Sequence, residues 1–173
     1  MNDTVTGKSV NIVVLTVSDT RTKENDKSGD TLVERIKKSG HRIVEKRIVK
    51  DELSLLKDTL KGWIDSSEVD VVIATGGTGV TGRDVTPEAF ESLYEKSIPG
   101  FGELFRWLSY QNIKTSTIQS RATAGVANGT FLFALPGSTG ACKDAWDMII
   151  VHQLDSTHKP CNLVELMPRL TEK

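Results

Sequence analysis

Two cysteines, Cys142 and Cys161, stand far apart and outside any CxxC spacing. That pattern argues against a disulfide framework and against a paired-cysteine redox or zinc motif, so both thiols are read as reduced and structural. The three histidines, His41, His152 and His158, form no metal-ligand pattern. His152 and His158 fall near Cys161, but carboxylate or thiol partners at ligand spacing are missing. Charge of one sign is lacking as well, with a formal net charge of -1 and a pI near 6.3. The chain as a whole therefore attracts neither nucleic acid nor anionic lipid, and a polyanionic partner has to be met by a local site. No apolar run approaches the ~20 residues that cross a bilayer. Residues 1–9 lack the basic-then-apolar order of a signal peptide, so the expected location is cytoplasmic, with neither a membrane nor a nucleic-acid partner. Internal repeats and domain boundaries are also absent. The 173 residues are expected to form a single domain over 1–173 with a flexible start over 1–9.

A content of 38% hydrophobic and 26% charged residues belongs to a soluble globular chain. "VNIVVLTV" is almost continuously apolar and β-branched, which suits a central strand covered on both faces. "SGDTLVERIKKSG" follows with Leu32, Val33 and Ile36 on one helical face, Ser28 as the capping candidate and Gly40 as the stop. "HRIVEKRIV" mixes apolar and charged residues as an edge strand does. "ELSLLKDTLKGWIDSS" is helical by the spacing of Leu53, Leu56, Leu60, Trp63 and Ile64. "VDVVIAT" makes a third short strand, and Thr86-Pro87-Glu88 opens a helix with Thr86 as its N-cap. In "FGELFRWLSYQ", Phe101, Leu104, Phe105 and Leu108 share a face that leaves Trp107 and Tyr110 outside as candidate interface residues. Asn128-Gly129 predicts a hairpin turn within "ATAGVANGTFLFAL". A last helix begins at Ser138 with Ala141, Ala145, Met148 and Ile149 inward, and the tail "CNLVELMPRL" is expected to pack across the body. Strands alternating with helices give an α/β fold, a three-layer α/β/α sandwich around a mixed, mostly parallel sheet.

Ligands of such sheets sit beyond the carboxyl ends of the strands. "SDTR", "KDE", "GGTGVTGRD" and "PGSTG" fall at four such ends. Gly77, Gly79 and Gly82 formally satisfy GxGxxG, but they follow the third strand and no acidic strand end stands about 20 residues later, so a dinucleotide fingerprint is rejected. There is no P-loop either. What survives is a glycine- and threonine-rich loop whose main chain can approach an anionic group such as a phosphate. Asp84 in that loop and Asp51 after the second strand could face one crevice, and two carboxylates with phosphate oxygens suit Mg²⁺. Ser138 opens a helix whose N-terminus favours anions. "SDTR", with Ser18 and Asp19, and "STIQSR", with Ser116, Ser120 and Arg121, read equally well as plain turns.

In chain order, "VVLTVSDTR", "SG" at Ser28-Gly29, "TGGTG", "RDVTPEA", "PGFGE", "STIQSRATAGV" and "LPGSTGAC" resemble the molybdopterin-binding family of molybdenum cofactor biosynthesis, the MoaB and MogA proteins and related domains of larger fusion proteins. "FGELFRWLSY", "TSTIQSRA", "GVAN" and "PCN" are nearest the MoaB branch. The resemblance implies a molybdopterin adenylyltransferase, which transfers AMP from MgATP to the molybdopterin phosphate and releases pyrophosphate. It assigns Asp51 and Asp84 to Mg²⁺ and catalysis, and Gly76, Gly77, Thr78 and Gly79 to the pterin-phosphate and nucleotide pocket. Ser18, Asp19, Pro136, Gly137 and Ser138 would complete the walls, and Arg83, Thr86, Ser116, Ser120 and Arg121 would join the binding set. The resemblance also implies a homotrimer or hexamer. The competing reading is a carrier that binds molybdopterin without turnover.

Overall fold

A computed structural model describes residues 7–173 of the chain. The expected flexible start lies mainly outside those residues, and within them the Lys8 N–H is tied to Ser156 Oγ at 2.9 Å. Six strands form one sheet in the order β2-β1-β3-β6-β5-β4. They are β1 (Asn11–Val17), β2 (Arg42–Val49), β3 (Val71–Thr75), β4 (Lys96–Ser97), β5 (Thr123–Ala127) and β6 (Thr130–Leu135). β2, β1, β3 and β6 run parallel, while β5 runs antiparallel to both β6 and β4. The edge assignment of β2 holds, and its exposed charged residues discourage pairing with another chain. The hairpin also holds, with Asn128 and Gly129 at φ 45° and 79°, the left-handed backbone a two-residue turn demands. β4 carries no legible signal because it is two residues long.

Apolar residues alternate between the two faces of the sheet, and each face has its own helices. One core joins Ile12, Val14, Ile73, Phe131 and Phe133 to Leu32 and Ile36 of α1 (Lys27–Lys38), Phe101 and Phe105 of α4 (Pro99–Ile113) and Trp146. The other joins Val13, Leu15, Val72 and Leu132 to Leu56, Leu60 and Trp63 of α2 (Leu53–Ile64) and Phe90 of α3 (Thr86–Glu91). These are the three layers expected. The tail turns at Val164–Arg169 and packs Val164, Met167 and Leu170 on the first core.

Several local expectations need correction. Asp26, not Ser28, caps α1: its Oδ1 accepts the Gly29 N–H at 3.1 Å. Ser28 lies inside the first turn, buried. Leu104 is 41% exposed, because α4 approaches β5 at Gly102, where a Cβ would come within 2.5 Å of the Ala122 carbonyl. That contact turns the helix so that Phe101, Gly102, Phe105 and Ser109 face in. Met148 is exposed for a different reason: α5 (Thr139–Ala145) continues into a π-helical turn at Trp146–Ile150, closed by the Val151 N–H on the Trp146 carbonyl. The wider turn rotates the helix face and brings Trp146, Ile149 and Ile150 inward. Trp107 and Tyr110 stand outside, as expected, and Cys161 is exposed rather than structural. Cys142 is buried; its thiol donates to Thr75 Oγ1 at 3.2 Å, and burial pushes its pKa up to about 11. No described helix is long and apolar enough to cross a membrane.

Candidate active site at the strand ends

The glycine loop leaves β3 through two left-handed residues, Gly76 at φ 103° and Gly77 at φ 67°. Conformation is only part of the demand for glycine. A Cβ on Gly76 would collide with the Val17 carbonyl, and one on Gly77 would collide with the Thr86 hydroxyl and lie 2.5 Å from Asp51 Oδ1. The Thr86 hydroxyl donates to the Gly76 carbonyl at 2.8 Å, and the Thr86 N–H to the Gly77 carbonyl at 3.0 Å. Thr86 is therefore not the N-cap of α3. Val85 holds that position without a side-chain cap, while Thr86 is buried and locks the loop's first two residues. Gly79 is pressed against the other carboxylate, since its Cβ would come within 2.8 Å of Asp84 Oδ2. Thr78 is buried between them.

Gly77 thus lies against Asp51 and Gly79 against Asp84, so both predicted carboxylates reach the loop. Asp51 follows β2, and its N–H donates to Asp19 Oδ1 at 3.2 Å. Asp51 Oδ1 is buried and accepts no hydrogen bond from the described residues. Burial, followed by the charges of Asp19 and Asp84, raises its pKa above the ordinary value, against an opposing effect of Arg83. Burial also acts against ionisation of Asp84. There, however, hydrogen bonds outweigh it: the Thr81 N–H and hydroxyl donate to Oδ2 at 2.9 and 2.7 Å, and the pKa falls. Asp19 is held below its ordinary value chiefly by Arg83, whose Nε and Nη2 donate to its Oδ2 at 3.1 and 2.8 Å. Three acids in one crevice are thus separated in character, and only Asp51 has both a raised pKa and an unmet acceptor.

Arg121 comes from the segment before β5. Its Nε donates to the Gly79 carbonyl at 2.8 Å, its Nη2 to the Asp84 carbonyl at 2.9 Å, and its Nη1 pairs with Glu88. Arg121 is therefore a brace for the loop. Ser120 accepts the Ala122 N–H at 3.3 Å and lines a cavity of about 600 Å³ with Gly102, Arg106 and Arg121. Ser116 is exposed on the 3₁₀ turn Lys114–Gln119, and no hydrogen bond joins it to the glycine loop.

Behind the loop, a cavity of about 270 Å³ is lined by Thr16, Ser18, Asp26, Ser28, Gly76 and Gly137, among others. Gly137 sits against Gly76, where a Cβ would find the Gly76 Cα at 3.3 Å. The Pro136 carbonyl accepts the Thr75 hydroxyl at 2.9 Å, and the Gly137 carbonyl accepts the Ser28 hydroxyl at 2.8 Å. Ser138 caps α5, accepting the Ala141 N–H at 3.1 Å. Ser18 Oγ accepts the N–H groups of Thr20 and Arg21, closing a turn at the rim. Sequence reasoning missed Asp26, which is 1% exposed and bound by the Thr16 hydroxyl at 2.8 Å and Lys46 at 3.0 Å. Its signal was an aspartate three residues ahead of Gly29, the spacing of an N-cap. The Thr81 clamp on Asp84 was likewise missed.

Over residues 13–156 the chain matches the family described as "Probable molybdopterin binding domain". It is 50% identical over 151 residues to molybdenum cofactor biosynthesis protein B of Escherichia coli (strain K12), covering 87% of this chain and 89% of that protein. It belongs to the MoaB/MogA family. The protein of the same description from Bacillus subtilis (strain 168) is 46% identical over 142 residues, 82% of this chain and 84% of that one. Among solved structures, a molybdenum cofactor biosynthesis protein B superposes with a TM-score of 0.86 at 39% identity, covering 96% of this chain and 99% of that one. The tungsten cofactor synthesizing protein MoaB from Pyrococcus furiosus gives a TM-score of 0.75 at 38% identity, with coverage of 82% and 91%. The α/β sandwich described above is thus the fold of MoaB and MogA proteins. Gly76, Gly77, Asp51 and Asp84 all lie within the matched span.

Proposed function

We propose that this MoaB/MogA-family chain acts in molybdenum cofactor biosynthesis as a molybdopterin adenylyltransferase, moving AMP from MgATP to the molybdopterin phosphate and releasing pyrophosphate. The observation that carries the reading is Asp51, whose buried Oδ1 has no hydrogen-bond partner among the described residues and stands against the glycine loop that Asp84 also touches.

An unmet carboxylate oxygen beside a second carboxylate fits a hard divalent cation. Among the described residues no three carboxylate, histidine or cysteine side chains gather at metal-binding spacing. Asp51 and Asp84 would therefore hold Mg²⁺ together with substrate phosphate oxygens. When bound, the ion would neutralise charge on those phosphates.

The chain's own residues have a simpler task. A phosphate monoester is already anionic at neutral pH, so its oxygen needs alignment with the nucleotide α-phosphorus rather than a strong general base. Gly76 and Gly77 make the left-handed turn that carries the loop's main chain past Asp51, where the phosphates would lie. Thr86 and Arg121 keep the loop in place. The crevice is rich in amides, hydroxyls and carboxylates, with neither histidine nor cysteine at its wall.

The test is pyrophosphate release by the purified chain with molybdopterin, ATP and Mg²⁺, beside Asp51→Ala and Asp84→Ala. Release that requires the pterin and both carboxylates supports the transferase. Pterin binding without release would overturn it in favour of the carrier. A homotrimer or hexamer is part of the same proposal. Trp107, Tyr110 and Ile113 form an exposed apolar stretch on α4 that suits a contact between copies, and the mass in solution checks it.

A further inference from the structure

Along the edge of the sheet, where β2 ends and the turn after β1 begins, lies a cavity of about 770 Å³. Five cationic side chains line it: Arg21, Lys23, Lys46, Arg47 and Lys50. Among the described residues, Asp19 is the one acidic residue that lines it. For a chain with a net charge of -1 this is a marked local excess. Two of the five are already committed. Lys46 bridges Asp26 and Asp30 at 3.0 and 2.6 Å, and Arg47 pairs with Glu45 at 2.6 Å. Among the described residues, Arg21, Lys23 and Lys50 form no ion pair. All three are exposed; Arg21 Nη1 donates to the Asn25 carbonyl at 3.2 Å, while Lys23 and Lys50 are free to turn toward a ligand.

The cavity adjoins the crevice. Ser18 lines both it and the smaller cavity behind the glycine loop, and Asp19 accepts the N–H of Asp51. Charge is thus divided between neighbours: Asp51 and Asp84 at the glycine loop, a basic chamber beside them, and Asp19, paired with Arg83, on the border between the two.

We infer that this chamber receives the β- and γ-phosphates of the nucleoside triphosphate and holds the pyrophosphate they become. The inference rests on the transferase reading above. In the transfer, a molybdopterin phosphate oxygen forms a bond to the α-phosphorus, and the bond from that phosphorus to the α,β-bridging oxygen breaks. The electron pair stays on the bridging oxygen, which leaves as part of pyrophosphate. No proton or redox partner is required, and the leaving group carries away negative charge that the three aspartates repel. Uncommitted lysines beside them supply the opposite sign where that charge develops, and their flexible stems suit a ligand that must depart.

Isothermal titration of the full chain with inorganic pyrophosphate, ATP and AMP tests the assignment. The Lys23→Ala/Lys50→Ala double variant is compared with Lys159→Ala, which lies on the C-terminal segment. Both lysines of the pair are exposed, so the fold should persist, and circular dichroism checks this. The expected result is a loss of about tenfold or more in pyrophosphate and ATP affinity in the double variant, with AMP affinity unchanged. Unchanged pyrophosphate affinity, or an equal loss for AMP and ATP, overturns the assignment. The pterin-dependent release assay on the unaltered chain separates the two failures. Release with no defect in the double variant sinks the chamber alone. Lysine-dependent pyrophosphate binding without release sinks the transferase reading and, with it, the leaving-group role.

Discussion

The two ends of the parallel strands treat their polar groups differently. At the amino ends, His41, Asp70, Thr130 and Asn128 each close a hydrogen bond of the fold. The Val10 N–H donates to His41 Nδ1 at 3.3 Å and the Asn11 N–H to Asp70 Oδ2 at 2.7 Å. Thr130 donates to the Val69 carbonyl, and Asn128 Nδ2 to the Ile64 carbonyl at 3.1 Å. At the carboxyl ends Asp51 Oδ1 is buried without a partner, three aspartates crowd together, and glycines 76 and 77 are fixed by contact as well as by conformation. One end spends its polar groups on the fold, and the other keeps some in reserve. An unmet buried acceptor is costly to stability, so its persistence points to a ligand.

The sharpest way to break this contrast is to remove one carboxylate from each end. Asp51→Ala should lower pyrophosphate release by about a hundredfold or more. Asp70→Ala should leave release unchanged and instead cost about 1 to 2 kcal/mol, by stranding the Asn11 N–H. Equal activity losses in the two variants would erase the distinction.

Glycine substitution comes next. Gly77→Ala meets a left-handed backbone, the Thr86 hydroxyl and Asp51 together, and should cost about 3 kcal/mol or more in urea unfolding. Gly129→Ala meets only the backbone term, because the nearest atom to its Cβ would be Thr171 Cγ2 at 3.5 Å. A cost of about 1 kcal/mol and normal release are expected there.

The smallest effects concern pH, and the two ends should respond in opposite senses. Burial lowers the His41 pKa, so the unfolded chain binds more protons and stability falls as pH drops below the ordinary histidine value of 6.5. The pKa of Asp51 is raised above 3.8, so the folded chain binds more protons. Its contribution is present at low pH and fades as pH rises through the raised value. Unfolding curves of His41→Gln should be flatter between about pH 7 and about pH 5, and those of Asp51→Asn flatter on the acid side. A variant curve parallel to the parent would remove that residue from the contrast.

Much of this frame was legible in the sequence where one short-range cause decides the outcome. Asn128-Gly129 forms its turn because two consecutive residues must take positive φ, and β1 and β3 are internal because no charge interrupts them. Thr86 misled because its capping signature is local, whereas its hydroxyl answers to Gly76, ten residues back. Met148 misled because a helical period cannot reveal a π-turn. The Asp19–Arg83 pair joins residues 64 positions apart, and nothing in either neighbourhood announces it.

The sequence by itself determined the alternation of strands and helices, the placing of small and acidic residues just beyond the apolar runs, and the family. Those depend on period, turn chemistry and motif order, all of which act within a few residues. Only the tertiary structure decided which aspartate keeps an unmet oxygen, which arginine braces the loop and where five cations gather beside three acids. Burial and Coulomb interactions depend on distance in space, and at the strand ends that distance is set by four loops that the chain brings together only when the sheet is complete.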